Sequence, residues 1–264
     1  MEYGKNTIKN LITENNPKKY GINASSWDCK ELQMYFSEKG KNVSKETLRK
    51  TLHSMGAHYV KANLEYAEAD REAQKRFAQD FMSKMQTKPK STILLFQDEM
   101  SANCSARKGY GWTFEKRLIV KAPQKSRKRT NCFGAVNSID GQIISMTSES
   151  AKASAFIKFL RKIEKHYSWR EIWIYLDNFR VHKSKIVNAF LKKHNRIKLE
   201  FLPPYSPNLN LQEQWWNYIR KKLLNNRSFD NLRKLSSAIG WFVKKATPEQ
   251  IKSICSFACL EAIV

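Results

Sequence analysis

Ile172-Trp173-Ile174-Tyr175-Leu176-Asp177-Asn178 is the stretch on which the fold turns. Its near-continuous apolar run reads as a buried central strand, and the strand ends in Asp177. Just upstream, Phe156, Phe159, Leu160 and Ile163 keep the i, i+3, i+4, i+7 spacing of a helix with one apolar face. Downstream, the pattern predicts a basic helix over about 182–194, a strand over Lys198–Leu202 and a helix over about 211–224, which completes the series. On that last helix Trp215 and Trp216 share helical spacing with Ile219 and Leu223 and read as core. Further upstream, Thr92–Phe96 is a short β-prone run leading into Asp98-Glu99, and Trp112–Phe114, Cys132–Ile139 and Gln142–Thr147 are further strand candidates. Asp140-Gly141 joins the last two as a hairpin turn. A hairpin group followed by strand–helix–strand–helix predicts an α/β architecture, a mixed sheet with helices packed on it.

A different pattern precedes the sheet. Trp27, Leu32, Tyr35 and Phe36 keep helical spacing up to Gly40. After the turn Lys41–Val43, Ser44 is a suitable N-cap for a second helix with Leu48, Leu52 and Met55 on one side. Gly56 is placed to end it, and His58-Tyr59-Val60 is expected to run as a short strand. Two short helices, a tight turn and a strand outline a winged helix-turn-helix. Opposite the apolar stripe of the second helix lie Lys45, Glu46, Arg49, Lys50 and His53. That face fits a recognition helix in a DNA groove, and equally an ordinary solvated surface. Residues 62–86 read as a connecting helix with Phe77, Phe81 and Met85 four apart, stopped by Thr87-Lys88-Pro89. The expected organisation is therefore a DNA-binding unit over 1–61, a linker helix over 62–90 and a sheet domain over 91–264.

Composition narrows the partner. The chain of 264 residues is 41% hydrophobic and 12% aromatic, which excludes a disordered protein. Its 48 Lys+Arg against 24 Asp+Glu leave a formal charge of +24, which calls for a polyanion. Nucleic acid is the leading partner, ahead of an anionic membrane surface. No apolar run approaches the roughly 20 residues of a membrane span, and the N-terminal residues do not form a signal peptide. The five cysteines, Cys29, Cys104, Cys132, Cys255 and Cys259, form no CxxC pair. Cys255 and Cys259 are expected on one helix face as core thiols rather than zinc ligands. A soluble protein of a reducing compartment is expected.

Three acidic positions are candidates for chemistry. Asp98 and Asp177 are each expected to close a hydrophobic strand at its C-terminal end, where α/β sheets converge on ligands. Two carboxylates brought together there need a proton or a divalent cation between them. Oxygen-only donors favour Mg2+ or Mn2+ over zinc. Glu99 rivals Asp98, since strand alternation sends the two to opposite faces and periodicity does not choose between them. The third is Glu213, behind the proline-stiffened loop Leu202-Pro203-Pro204-Tyr205-Ser206-Pro207-Asn208-Leu209-Asn210. Asn210 with Glu213 three residues later is also a capping-box pattern, in which the carboxylate would only bond backbone.

Phe96-Gln97-Asp98-Glu99, Leu176-Asp177-Asn178 with His182, and the 202–210 loop followed by Glu213 and Trp216 together resemble a DDE transposase. The similarity is to the bacterial insertion-sequence branch of the mariner superfamily, in which the interval between the last two acidic residues is short; here 35 residues lie between Asp177 and Glu213. Pro17–Lys61 is similar to the family's winged helix-turn-helix and Ser91–Leu224 to its catalytic core. The resemblance implies an RNase H-like fold in which Asp98, Asp177 and Glu213 hold two Mg2+ ions, with Mn2+ able to substitute. It also implies Asp98 over Glu99, and ligand over cap for Glu213. Two metals about 4 Å apart would activate a water or a 3′-hydroxyl and stabilise the leaving oxygen of an in-line displacement. The implied activity is cleavage at the element's ends and strand transfer to target DNA, with TA the favoured target. A homodimer on double-stranded DNA (terminal repeats and target) in the bacterial cytoplasm, associated with the nucleoid, is the implied working form. Asn178 and His182 match the family's DN…H pattern, as neighbours of the site or as helix-end groups. The dense basic stretch Lys121, Lys125, Arg127, Lys128 and Arg129 reads as a loop meeting DNA phosphates. Members commonly carry another helix-turn-helix ahead of the winged one, and only sixteen residues precede Pro17 here; the expectation is that the chain is truncated, that an upstream reading frame supplies that piece, or that it is lost. The alternative function is a transposase-derived DNA-binding protein or element remnant that no longer cuts.

Overall fold

The computed structural model describes residues 2–60, 67–121 and 128–264. The chain forms two compact units, 1–64 and 65–264.

In the first unit, helix α1 (Glu2–Glu14) is followed by a 3-10 turn over Pro17–Tyr20, then α2 (Cys29–Glu38) and α3 (Lys45–Ser54). Asp28 caps α2 by accepting from the N–H groups of Lys30 and Glu31, and Ser44 caps α3 by accepting from Thr47 at 3.1 Å. Leu32, Phe36 and Leu48 meet in a small core that Ile8 and Leu11 of α1 complete. Tyr20, Trp27 and Tyr35 wall it off, and Trp27 Nε1 donates to the Asn15 carbonyl at 2.8 Å. The strand expected at His58-Tyr59-Val60 does not form, and all three residues are exposed. Among the described residues it has no partner, and an isolated strand leaves its whole ladder unmade. The start of the expected connecting helix falls in 61–66, outside the described residues.

The second unit opens with α4 (Arg71–Thr87), capped by Asp70, which accepts from Ala73 N–H at 2.9 Å. The helix thus begins well after residue 62, and its Phe81 packs on Phe96 and Tyr175 of the sheet. There follow β1 (Ile93–Asn103), β2 (Arg129–Asn137), β3 (Gln142–Ser148), α5 (Ala153–His166), β4 (Ile172–Leu176), α6 (Lys185–Lys193), β5 (Ile197–Phe201) and α7 (Leu211–Ile219), which runs on in a wider π turn over Arg220–Leu224. Three helices beyond the series expected from sequence complete the chain: α8 (Leu232–Lys245), α9 (Pro248–Ile254) and α10 (Ala258–Glu261). The sheet order is β3-β2-β1-β4-β5, with β1–β2 and β2–β3 antiparallel and β1–β4 and β4–β5 parallel. This is the mixed sheet flanked by helices that the element pattern predicts. Ile93, Leu95, Phe133 and Ile174 pack against α5 on one face. Leu94, Phe96 and Tyr175 pack on the other against Trp215, Trp216 and Ile219 of α7, backed by Leu235 and Ile239 of α8. The β2–β3 turn follows the Asp140-Gly141 signal, with Gly141 at φ +68° and Asn137 Oδ1 accepting from Ile139 and Asp140.

Three further local expectations fail. Trp112–Phe114 is not a strand; among the described residues no strand pairs with it, and Tyr110, Trp112 and Phe114 are fully exposed. Asp98 does not end its strand, because antiparallel pairing with β2 carries β1 on to Asn103. Cys255 closes α9 while Cys259 sits on α10, so the two do not share a helix face; both are free thiols. Among the described residues no helix is long and apolar enough to cross a membrane.

Candidate active site

Register brings the first two carboxylates level. Phe96 pairs with Tyr175 at the last parallel step between β1 and β4. Two residues further along each chain, on the same face, stand Asp98 and Asp177. Asp98 continues the strand beyond the point where β4 stops, and Asp177 lies just past that stop.

The loop after β5 delivers the third. Leu202 N–H donates to the Leu176 carbonyl at 2.8 Å, anchoring the loop beside Asp177. Buried Asn210 donates from Nδ2 to the Gln97 carbonyl at 2.8 Å and accepts from Gln212 N–H at 3.1 Å, so it caps α7 and ties it to β1 next to Asp98. Close approach of α7 also depends on Gly134, the β2 partner of Asp98: a Cβ there would lie 2.5 Å from both Gln212 Nε2 and Trp216 Cζ2. Glu213, one turn into α7, does not complete a capping box. The Asn210 N–H donates to the Pro207 carbonyl instead, and Glu213 Oε1 accepts from Arg220 Nη1 at 2.7 Å. Asp98, Asp177 and Glu213 line one cleft of about 450 Å³ together with Asn178, Phe179 and the 202–207 loop.

The electrostatics mark this cleft. Burial, and then contact with Glu213, pushes the Asp98 carboxyl well above its ordinary range. Burial acts in the same direction on Asp177, but the His182 ring and the Phe179 N–H outweigh it and hold this carboxyl below the usual range. His182 is itself buried, which disfavours its charge; Asp177 and Glu99 prevail and push it up to about 9. Among the described residues no three His, Cys, Asp or Glu side chains converge tightly enough to enclose one ion. The donor set nevertheless fits a hard divalent cation: it is all oxygen, and burial beside Glu213 pushes the Asp98 carboxyl up, a cost that a cation between the two would relieve.

From Ile93 to Ser236 the sequence matches the family described as DDE superfamily endonuclease. The chain belongs to that family. Residues 23–81 match a second family, winged helix-turn helix. It is 20% identical to the insertion element IS630 uncharacterized 39 kDa protein of Shigella sonnei, over 92% of this chain and 71% of that one. Its fold is similar to the Mos1 transposase paired-end complex with left transposon end, with a TM-score of 0.63, 15% identity and coverage of 90% of this chain and 79% of that one. It is likewise similar to the Mos1 mariner paired-end complexes solved with Mg and with Mn, at TM-scores of 0.63 and 0.60, at 15% and 16% identity, over 89% and 92% of this chain and 77% and 80% of those. The fold is thus the RNase H-like one expected from the resemblance.

The other predicted positions divide into neighbours of the cleft and exposed basic groups. Asn178 clamps the cleft's wall, donating from Nδ2 to the Leu202 carbonyl at 2.6 Å and accepting from Lys183. His182 lies ahead of α6, whose N-cap is Ser184, and bonds Glu99 and Asp177 rather than the helix end. Lys45, Arg49, Lys50 and His53 are exposed on α3, with Arg49 paired to Glu46 at 2.7 Å. Lys128 and Arg129 are exposed at the start of β2, while Lys125 and Arg127 lie outside the described residues. Gly134 and Arg220 shape the site without having been singled out from sequence, and Asn210, read there as an N-cap, also ties α7 to the Gln97 carbonyl. The approach that Gly134 allows is a contact between distant elements, which no local spacing encodes.

Proposed function

We propose that the chain is the transposase of a bacterial insertion element. It binds the element's ends through its N-terminal unit and cuts and joins DNA strands at the cleft. One observation carries this proposal: Asp98, Asp177 and Glu213, from three separate stretches, line a single cleft. Residues 1–61 form the DNA-binding unit, 62–90 the linker and 91–264 the catalytic domain.

Asp98, Asp177 and Glu213 are the side chains that would hold two Mg2+ ions, or Mn2+ in their place. Bound there, the cations supply activation of a water or 3′-hydroxyl and stabilisation of the leaving oxygen in an in-line phosphoryl displacement. The protein contributes placement. Asn210 fixes the angle at which α7 presents Glu213, and Arg220 holds one oxygen of that carboxylate. Lys45, Arg49, Lys50 and His53 face the terminal repeats, and the stretch containing Lys125, Arg127, Lys128 and Arg129 meets phosphates. Joining two ends calls for a homodimer on paired DNA, acting at TA targets in the bacterial cytoplasm.

The test is strand nicking of a duplex carrying the element's end, with and without Mg2+. Wild type is expected to nick it and Asp98→Asn to bind it without nicking. Nicking by Asp98→Asn at the wild-type rate would remove Asp98 from the chemistry. A wild-type chain that binds ends but never nicks is a DNA-binding remnant instead.

A further inference from the structure

Glu99 follows Asp98 directly, so the pleat of β1 turns its side chain to the opposite face, away from α7. It is not idle there. Glu99 Oε1 accepts from Gln97 Nε2 at 3.1 Å and lies 3.0 Å from His182 Nε2. The His182 side chain has no exposure, and its ring sits 4.5 Å from that of Phe156 and edge-on to Phe179 at 5.7 Å. An imidazole in such apolar company costs free energy unless its nitrogens are bonded. Both are. The second nitrogen, Nδ1, lies 3.3 Å from the Asp177 carboxylate Oδ1 and 3.3 Å from the Asp177 carbonyl.

Asp177 needs such support. It stands past the end of β4, its side chain is 55% exposed, and no neighbouring strand holds it. Its Oδ1 accepts from Phe179 N–H at 3.0 Å and meets the His182 ring, so two groups fix that oxygen. We propose that Glu99 and His182 are positioning residues for Asp177. Glu99 holds the His182 ring from the far face of β1, and His182 holds the Asp177 carboxylate toward the cleft shared with Asp98 and Glu213. The two adjacent acidic residues of β1 thereby serve one site from opposite faces of the sheet. The inference rests on the assignment of Asp177 as a metal ligand.

Mn2+ affinity of the full-length chain, followed by water-proton relaxation without DNA, tests it apart from activity. Asp177→Asn should weaken binding as the loss of a ligand. Glu99→Ala and His182→Phe should each weaken it about tenfold or more, the range over which groups that orient ligands act. His182→Phe keeps an aromatic ring in apolar surroundings, and so remains informative if Glu99→Ala does not fold. Glu99→Gln keeps an acceptor for the ring and should recover most of the affinity, a rescue that general packing damage would not give. Wild-type affinity in a folded Glu99→Ala or His182→Phe, beside a weakened Asp177→Asn, overturns the positioning role alone. Unchanged affinity in Asp177→Asn overturns the ligand assignment and the positioning role with it.

Discussion

The two units of this chain hold themselves together on different scales. The sheet unit buries apolar side chains on both faces of five strands, with Trp215 and Trp216 fully enclosed. The N-terminal unit closes three helices over a core whose fully buried members are Ile8, Leu11, Leu32, Phe36 and Leu48. Small cores leave little stability in reserve. A rigid sheet suits carboxylates that must be placed to a fraction of an ångström, whereas a small helical unit suffices to display one basic face.

The largest effect expected from this contrast is on stability. Leu48→Ala should cost about 2–5 kcal/mol, enough to unfold the N-terminal unit while the sheet unit persists. Trp216→Ala should cost about 3–5 kcal/mol in a unit with more to lose. Calorimetry should show two transitions, with only the lower one moved by Leu48→Ala. A single transition moved equally by both variants would end the description of two independent units.

Next comes binding. Removing residues 1–61 should abolish preference for the element's ends, while the remaining basic surface keeps salt-dependent non-specific binding. Footprinting settles this: a truncated chain that protects the terminal repeats as well as the full chain does would move recognition into the sheet unit.

Gly134→Ala is expected to act on the chemistry before it acts on stability. The added Cβ presses on Gln212 and Trp216 and displaces α7, and Glu213 with it, from Asp98. Misplacement of about 1 Å can cost ~10²-fold in rate. Nicking rate and melting temperature measured together check this, and an unimpaired rate would mean that α7 has slack. The smallest effect is expected at Arg49→Ala. Its partner Glu46 is as exposed as itself, so the melting temperature should hold while affinity for element ends falls. Unchanged affinity would take Arg49 off the DNA face.

What was legible in sequence follows from where the determining contacts lie. Ser44, Gly40 and Gly56 punctuate α2 and α3 locally, and β4 and α5 carry unbroken apolar patterns; all four elements formed where those signals lie. Helix α1 has too few apolar residues to declare itself, since among its described side chains only Ile8 and Leu11 are buried. Helix α8 does carry Leu232, Leu235 and Ile239 at helical spacing, a signal that would have found it. Alternating Tyr110, Trp112 and Phe114 imitate a strand, but alternation cannot supply a partner. At the site, the three acidic residues were recognisable from their motifs. Their supports were not, because the bonds from Asn210 to Gln97 and from Glu99 to His182 join residues 113 and 83 positions apart.

The central claim is that Glu213 is a metal ligand rather than a helix cap. Glu213→Gln keeps the volume and an acceptor for Arg220, but removes one negative charge from the cleft. The decisive measurement is Mg2+-dependent strand cleavage by this variant on a pre-formed protein–DNA complex. Near-complete loss of cleavage, with folding and DNA binding intact, is the predicted result. Cleavage at close to the wild-type rate would contradict it and leave the site with two carboxylates, Asp98 and Asp177.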